Sequence, residues 1–168
     1  MTTVWHLAQM NVGTTLYPVE DSRMEGFTGQ LDEINALAEA SPGFVWRLKT
    51  EAGNATDIKP TDNPNFIVNM SVWAGAEALF DYVYKSVHRL VMVQRRSWFE
   101  KPESSYMVLW WVPAGTEPTV EDGLARLAHL DQRGPTPHAF TFKTKFPPPD
   151  IAGLPEDLRP EPYCVGWS

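Results

Sequence analysis

The run from Tyr106 to Val112 constrains the fold more than any other segment of the chain. All of its residues are apolar or aromatic, and Pro113-Ala114-Gly115 ends it. A run this short and this apolar is typical of a β-strand covered on both faces. The sequence therefore predicts a strand in the centre of a sheet, with other elements packed on both sides of it.

The order of the predicted elements indicates the fold class. Ser22 and Glu25 fit a capping box at the start of a helix, and Thr119 can cap a later helix. The first six elements run strand, helix, strand, strand, helix, strand, which is the split β-α-β arrangement of ferredoxin-like folds. We predict an α+β fold with an antiparallel sheet and helices on one of its faces. The strands are predicted over 4–11, 44–49, 66–73, 106–112 and 139–142, and the helices over 22–40, 74–99 and the stretch from Thr119 to Gly134.

Such a sheet leaves one face without helices, and this face is expected to be apolar. The strand over 66–73 places Val68, Met70 and Val72 on one side, and neither of its sides carries a charge. A large apolar face needs a cover. The simplest cover is the sheet of a second copy of the chain, which predicts a homodimer.

The length of the chain fits one domain followed by a tail. Its 168 residues suffice for a single hydrophobic core, which we place over residues 1–146. Residues 147–168 contain six prolines and are not expected to form helix or strand. We expect this tail to pack on the domain or on a partner subunit.

Charge and composition narrow the classes of partner and the compartment. The 21 acidic and 14 basic residues leave a formal net charge of −7, which disfavours nucleic acid and anionic membrane surfaces. No apolar run approaches the roughly 20 residues of a membrane span. Because Cys164 is the only cysteine, the chain cannot form an internal disulfide, and we expect a cytoplasmic protein.

One polar cluster is a candidate small-molecule site. A projection of the helix over 74–99 puts an apolar arc on the sheet, with His88 at the edge of the arc beside Tyr84 and Arg95. If the polar side of the strand over 66–73 faces this helix, its polar residues and those at the edge of the helical arc meet in a cavity walled by tryptophans. His88 could then act as a base, and Arg95 could hold an anionic group. The predicted arc comprises Phe80, Val83, Tyr84, Val87, Val91 and Trp98, and the polar side of the strand comprises Asn69, Ser71 and Trp73.

Each of these residues also has a structural interpretation. His88 fits a hydrogen-bonded residue at the margin of a helix, and Tyr84 and Trp98 fit packing residues with a bonded polar end. Arg95 fits a solvated helix end. Asn69 and Ser71 need partners in a buried strand, and these partners are either the helix or a ligand.

Common cofactor and metal signatures are missing from the sequence. It has no glycine-rich phosphate loop, no Gly-x-Ser-x-Gly, no His-Glu-x-x-His and no calcium loop. Its four histidines include no pair at the i, i+4 spacing of a helical metal site. We therefore predict no cofactor and no metal, with heme bound through His88 as an alternative.

Several strings of the chain resemble a known family. Over residues 4–146 the chain is similar to a bacterial family that is known only as domain of unknown function 3291. At a coarser level, the Pro-Gly-Phe turn at 42–44 and the helix that follows Trp73 resemble the dimeric α+β barrel superfamily. The strings are Leu7–Asn11, Ser41–Leu48, Asn69–Trp73, Phe80–His88, Arg95–Phe99, Leu109–Gly115, Gly134–Pro137 and Ala139–Phe142.

The superfamily resemblance implies three functions. One is a cofactor-independent monooxygenase for a small apolar or aromatic substrate, in which His88 takes a proton and Asn11 or Asn69 stabilises an oxyanion. The second is a heme-binding or heme-degrading protein that ligates iron through His88, with Arg47 or Arg95 meeting a propionate. The third is a module that binds a ligand or dimerises without catalysis. The candidate catalytic residues are His88, Tyr84 and Asn11, and the candidate substrate-binding residues are Trp46, Arg47, Asn69, Ser71, Trp73, Arg95 and Trp98.

Overall fold

A four-stranded antiparallel sheet organises the part of the chain that the structure describes. The computed structural model describes residues 4–50, 53–56, 58–85 and 94–149. The strand order is β2-β3-β1-β4, and every neighbouring pair is antiparallel. This order confirms the predicted ferredoxin-like α+β class. The strands are β1 (Trp5–Thr14), β2 (Phe44–Arg47), β3 (Phe66–Trp73) and β4 (Met107–Pro113).

Helices cover both faces of this sheet. Those on one face contribute Ala38, Leu79 and Val83 to a cluster with Leu7, Trp73 and Leu109 of the strands, and a later helix packs on the other face. In chain order, the helices are α1 (Glu25–Thr28), α2 (Leu31–Ala40), α3 (Ala76–Lys85) and α4 (Val120–Arg133), with 3-10 turns at Ser22–Met24 and Arg95–Ser97.

The predicted helix over 22–40 is wrong in its continuity. It is divided into a 3-10 turn, α1 and α2, and Gly29 and Gln30 lie between the two helices. Glycine is a weak helix former, so the chain bends there at little cost. Asp21 rather than Ser22 caps the first turn, since its Oδ1 accepts a hydrogen bond from the Arg23 backbone N–H over 2.9 Å.

The predicted helix over 74–99 also needs correction. Residues 86–93 lie outside the described part of the chain, and Phe99 pairs with Thr15 in an extended bridge instead of ending a helix. In α3 Val83 faces the sheet as predicted, together with Leu79, whereas the predicted Phe80 and Tyr84 do not. Phe80 and Tyr84 are the next residues along the helix, and their rings are 38% and 40% exposed.

The apolar strand β4 lies at the edge of the sheet, not in its centre. Both of its faces are covered, as predicted, and Phe140 covers its free edge. The Leu109 and Phe140 backbones exchange two hydrogen bonds of 2.8 and 2.9 Å. The predicted strand over 139–142 is reduced to this bridge and one between Thr136 and Ala139. Both faces of β4 are therefore buried although β4 has only one neighbouring strand in the sheet.

The second face of the sheet is covered by α4 of the same chain. Thr119 caps α4 as predicted, with its Oγ1 accepting from the Asp122 N–H over 3.1 Å. Leu127 and Leu130 pack in one buried cluster with Met10, Met70, Trp110 and their neighbours on the strands. The apolar face therefore does not require a second copy of the chain. The homodimer remains a prediction, and it has to use another surface.

The structure tests the predictions on a membrane span and on the C-terminal tail only in part. No helix among the described residues is long and apolar enough to cross a bilayer. The predicted tail begins in the described part, where Pro149 is buried, but residues 150–168 lie outside it. The domain boundary at 146 and the packing of the tail remain predictions.

Candidate small-molecule cavity

A cavity of about 170 Å³ lies between the sheet and the helices α2 and α3. Its position follows from the sequence, because both helices are amphipathic and turn their apolar faces toward the strands. Aromatic residues from outside these two helices also line it. The main apolar lining residues are Phe27, Ile34, Ala38, Leu79, Val83 and Trp98.

The floor of the cavity is polar, although the strands that form it are mostly buried. Strand alternation puts Gln9 and Asn11 of β1 on the same face, and the antiparallel register pairs them with Ser71 and Asn69 of β3. Gln9 Nε2 donates hydrogen bonds to Asn69 Oδ1 over 2.9 Å and to Ser71 Oγ over 2.8 Å. Asn11 Nδ2 donates to Gln9 Oε1 over 3.2 Å. Each side chain of this floor is thus held by another.

The network leaves hydrogen-bonding groups for an occupant of the cavity. Ser71 Oγ accepts from both Gln9 and Trp73, so its own hydroxyl hydrogen remains to be donated. Within the described chain, Asn69 Nδ2 and Asn11 Oδ1 make no hydrogen bond to protein. The floor therefore offers donors and an acceptor beside an apolar space.

Tyr82 is the aromatic residue of α3 that borders the cavity. Its ring stacks on Trp73 with centroids 5.0 Å apart, and its hydroxyl donates to the Ile34 carbonyl over 3.3 Å. Burial raises the pKa of the Tyr82 phenol well above its ordinary value. The hydroxyl of Tyr82 thus connects α3 to α2 at the border of the cavity.

Arg95 lies at one end of the cavity, on the 3-10 turn. Its guanidinium lies 4.7 Å from the ring centroids of both Phe99 and Tyr106, and Nη2 donates to the Val12 carbonyl over 3.2 Å. Burial lowers the pKa of Arg95 from its ordinary value, but an arginine remains charged at neutral pH. The turn itself is fixed to the end of β1, because Trp98 O accepts from the Leu16 N–H over 2.8 Å.

Arg47 is the second arginine that lines the cavity. Its Nε donates to Glu39 Oε1 over 2.7 Å, and the guanidinium lowers the pKa of the Glu39 carboxyl. Glu39 lies outside the lining, and no aspartate or glutamate is among the lining residues of the described chain. The charged groups at the cavity wall are therefore both cationic.

Most of the candidate site residues lie around this one cavity. Trp73 is fully buried beside the floor, on the same face of β3 as Ser71, and its Nε1 donates to Ser71 Oγ over 2.8 Å. Tyr84 does not line the cavity, and its ring packs instead on Phe80 and Phe142. His88 lies outside the described residues, so its role remains a prediction. The lining includes Asn11, Arg47, Asn69, Ser71, Arg95 and Trp98.

Trp46 lies on the opposite side of the sheet, among the residues under α4. Strict alternation would place it on the same face as Phe44, which packs on the helix side. The register with β3 shifts between Phe44 and Trp46, and this bulge turns the two side chains to different faces. Trp46 is therefore a core residue and not a wall of the cavity.

The sequence interpretation missed Gln9, which joins the floor together. The signal was present, because alternation along the first strand puts Gln9 and Asn11 on one face. A buried glutamine in an apolar strand needs partners, and these turn out to be Asn69 and Ser71. No group of three or more metal-ligating side chains occurs among the described residues.

Fold and cavity together define a ferredoxin-like α+β protein with a partly open cavity between its sheet and two of its helices. The family model of a domain of unknown function, DUF3291, matches residues 6–154. The chain therefore belongs to this family. A search of curated proteins finds no significant match.

Solved structures with a similar fold are distant in sequence. A protein of unknown function from Nitrosomonas europaea, NE2512, is 13% identical, with a TM-score of 0.43 over 70% of this chain and 96% of that chain. SnoaB, a cofactor-independent oxygenase from Streptomyces nogalater, is 16% identical, with a TM-score of 0.41 over 68% of this chain and 96% of that chain. Likeness at this level describes the arrangement of elements and not a shared activity.

Proposed function

We propose that the protein binds a small molecule with a single aromatic ring in the cavity between the sheet and α2 and α3. The observation that carries this proposal is the hydrogen-bonded polar floor beneath apolar walls. An apolar cavity of roughly 150 Å³ is known to hold benzene, and this cavity of about 170 Å³ is of similar size. The volume therefore fits one ring with small substituents.

The floor supports oriented binding rather than simple partition into an apolar space. Asn69 Nδ2 and the Ser71 hydroxyl are donors, and Asn11 Oδ1 is an acceptor, all at the same side of the cavity. A few directed polar groups in an apolar pocket are what fixes the orientation of a ligand. A ring bearing an oxygen substituent would place that oxygen on the floor.

The heme alternative has little support from the described residues. Pockets for drug-sized ligands span roughly 300–1,000 Å³, and a cavity of about 170 Å³ is too small for a heme macrocycle. Arg47, one of the two arginines assigned to a propionate, is paired with Glu39. We therefore do not propose heme binding.

Oxygenation without a cofactor is the second function that we propose. Its support is the set of donors at Asn69 and Ser71, which can stabilise the oxyanion of a deprotonated phenol. The substrate itself must supply the electrons that reduce O₂. One oxygen atom of O₂ replaces the hydrogen of a ring carbon, so that the phenol becomes a quinone, and the other oxygen atom leaves as water. His88 is the proposed base for the phenol.

Binding is tested with benzamide as a neutral probe, by calorimetry and by NMR shifts of cavity residues. We expect binding to the wild type and loss of binding in Ala38→Phe, whose new ring fills the cavity. Ala40→Phe is the matched control, because Ala40 is an exposed residue of the same helix. Ile34→Trp is a second blocking variant in case Ala38→Phe does not fold. Equal binding by Ala38→Phe and Ala40→Phe, or no binding at all, would overturn the proposal.

Oxygenation is tested separately with 1,3,5-trihydroxybenzene under air. The expected result is one O₂ consumed for each quinone formed, faster than without protein and slower in Ala38→Phe and His88→Gln. A protein that binds benzamide but consumes no oxygen above background is a binding module without this activity. That result would remove the second function and leave the first in place.

A further inference from the structure

We infer that the occupant of the cavity carries a carboxylate that pairs with Arg95, so that the ligand class is the monocyclic aromatic carboxylates. This inference rests on the proposed binding function and adds the charge and the orientation of the ligand. It is carried by the environment of Arg95, by the charges around the cavity and by the space beside Gly13.

Arg95 has a guanidinium without a counter-ion among the residues that the structure describes. Of its five N–H donors, one is used by the Val12 carbonyl. No carboxylate pairs with it among the described residues, whereas three other arginines there each have a carboxylate within 3.1 Å. Those pairs are Arg23 with Asp21, Arg47 with Glu39, and Arg126 with Asp122.

The missing partner matters because Arg95 is half-buried between two rings. The guanidinium carbon lies 4.7 Å from the ring centroids of Phe99 and Tyr106, and these contacts remove part of its surface from water. Its N–H groups form the edge of the planar group. A cation removed from water without an anion is costly. A ligand carboxylate at that edge would restore two parallel hydrogen bonds, which is the geometry that arginine favours.

Charge distribution points the same way. The chain has a formal net charge of −7, yet the described lining of the cavity holds two arginines and no acidic residue. An acidic protein would repel a dissolved carboxylate at long range, so the local cationic wall is the feature that can favour it. Since Arg47 is paired with Glu39, Arg95 is the group left for a ligand.

Gly13 leaves the space that this arrangement needs. A Cβ atom at Gly13 would lie 2.6 Å from Phe99 Cδ1 and 3.2 Å from Arg95 Nη2. The absence of a side chain therefore lets the ring and the guanidinium lie directly against β1. A carboxylate at Arg95 would place the attached ring among Phe27, Trp98 and Val83, with its ring substituents near the polar floor.

Benzoate and benzamide form a matched pair of probes, because they have the same ring and differ in the charge of the substituent. Their dissociation constants are measured with the wild type, Arg95→Met, Arg95→Lys and the control Arg96→Met. Arg96 is exposed on the same turn and does not line the cavity. We expect the wild type and Arg96→Met to bind benzoate at least about ten-fold more tightly than benzamide.

In Arg95→Met we expect this preference to disappear because benzoate loses its ion pair, and in Arg95→Lys we expect part of the preference to remain. Should Arg95→Met not fold, salt provides the second measurement. Raising NaCl from about 0.02 M to about 0.5 M should weaken benzoate binding to the wild type and leave benzamide binding unaffected. Two results would overturn this inference: equal affinity of the wild type for the two probes, or a preference for benzoate that survives in Arg95→Met. In either case, binding of benzamide to the wild type would still support the proposed function. Loss of binding by both probes contradicts the proposed function itself.

Discussion

The indole N–H of Trp73 donates a hydrogen bond to the hydroxyl of Ser71 over 2.8 Å. Trp73 belongs to the buried core under α2 and α3, and Ser71 belongs to the cavity floor. The same hydroxyl accepts from Gln9. A single oxygen atom therefore links the packing of the core to the polar groups of the candidate site.

Removal of this oxygen should destabilise the fold. In Ser71→Ala, two buried donors lose their acceptor, and we expect the free energy of unfolding to fall by about 1–3 kcal/mol. Urea unfolding measures this change. Ser22→Ala is the control, since Ser22 is an exposed residue of a surface turn. An unfolding free energy in Ser71→Ala equal to that of Ser22→Ala would show that the two donors do not depend on this hydroxyl.

A methyl group at Gly13 should disturb the Arg95 end of the cavity. Gly13→Ala places a Cβ 2.6 Å from the Phe99 ring, so the ring has to move. We expect a loss of roughly 1–3 kcal/mol in unfolding free energy, as for other overpacked sites, together with weaker benzoate binding. Gly75→Ala is the matched control, because a Cβ at Gly75 meets nothing within 4 Å. If Gly13→Ala matches this control in both measurements, the close contact between Phe99 and β1 is wrong.

The packing of α4 is tested by truncation of a buried leucine. Leu127 is 7% exposed, and Leu127→Ala should lower the unfolding free energy by roughly 2–5 kcal/mol. Leu124, on the same helix, is only partly buried, so Leu124→Ala should cost less. A smaller loss in Leu127→Ala than in Leu124→Ala would contradict the assigned face of α4.

Stability should depend on pH through His129. Burial, followed by the charges of Arg133 and Arg126, lowers the pKa of this histidine in the folded protein. The unfolded chain therefore binds the proton more readily, and the contribution of His129 to stability is complete above its unfolded pKa of about 6.5 and is lost as the pH falls below it.

The measurement is the unfolding free energy from about pH 7.5 to about pH 5, in the range where histidine titrates. We expect the decline of the wild type toward acid pH to become shallower in His129→Gln, which can keep a hydrogen bond to Thr136. Gln132→Ala serves as the control and should keep the slope of the wild type, because Gln132 is an exposed residue of the same helix and does not titrate. An unchanged slope in His129→Gln would remove His129 as the cause.

The sequence predicts best those elements whose signals are local. The strand over 66–73 has the predicted bounds because its alternation is regular and its ends are marked by loop residues. The cap at Thr119 and the end at Gly134, where φ is 75°, are also as predicted. Each depends on only a few neighbouring residues.

The errors arise where distant segments decide. Leu79 and Phe80 are neighbouring apolar residues, as are Val83 and Tyr84, so periodicity alone assigned Phe80 instead of Leu79 to the sheet and added Tyr84 to Val83. The edge position of β4 depends on Phe140, which lies far along the chain. For the same reason, Arg47, Asn69 and Arg95 could be assigned to a site from their residue types, whereas their meeting in one cavity required the strand pairing.

The attachment of the 3-10 turn to β1 has a consequence for how the protein can vary. The middle of β1 carries Gln9 and Asn11, and at its C-terminal end Thr14 and the following Leu16 bond to the backbones of Glu100 and Trp98. Insertion of one residue between them would shift Arg95 relative to the amides by one residue along the strand, roughly 3.3 Å. The distance from charge to amide, and with it the length of molecule that can be accommodated, is therefore set by the number of residues in a single strand. Relatives with a longer or shorter β1 should prefer correspondingly different ligands.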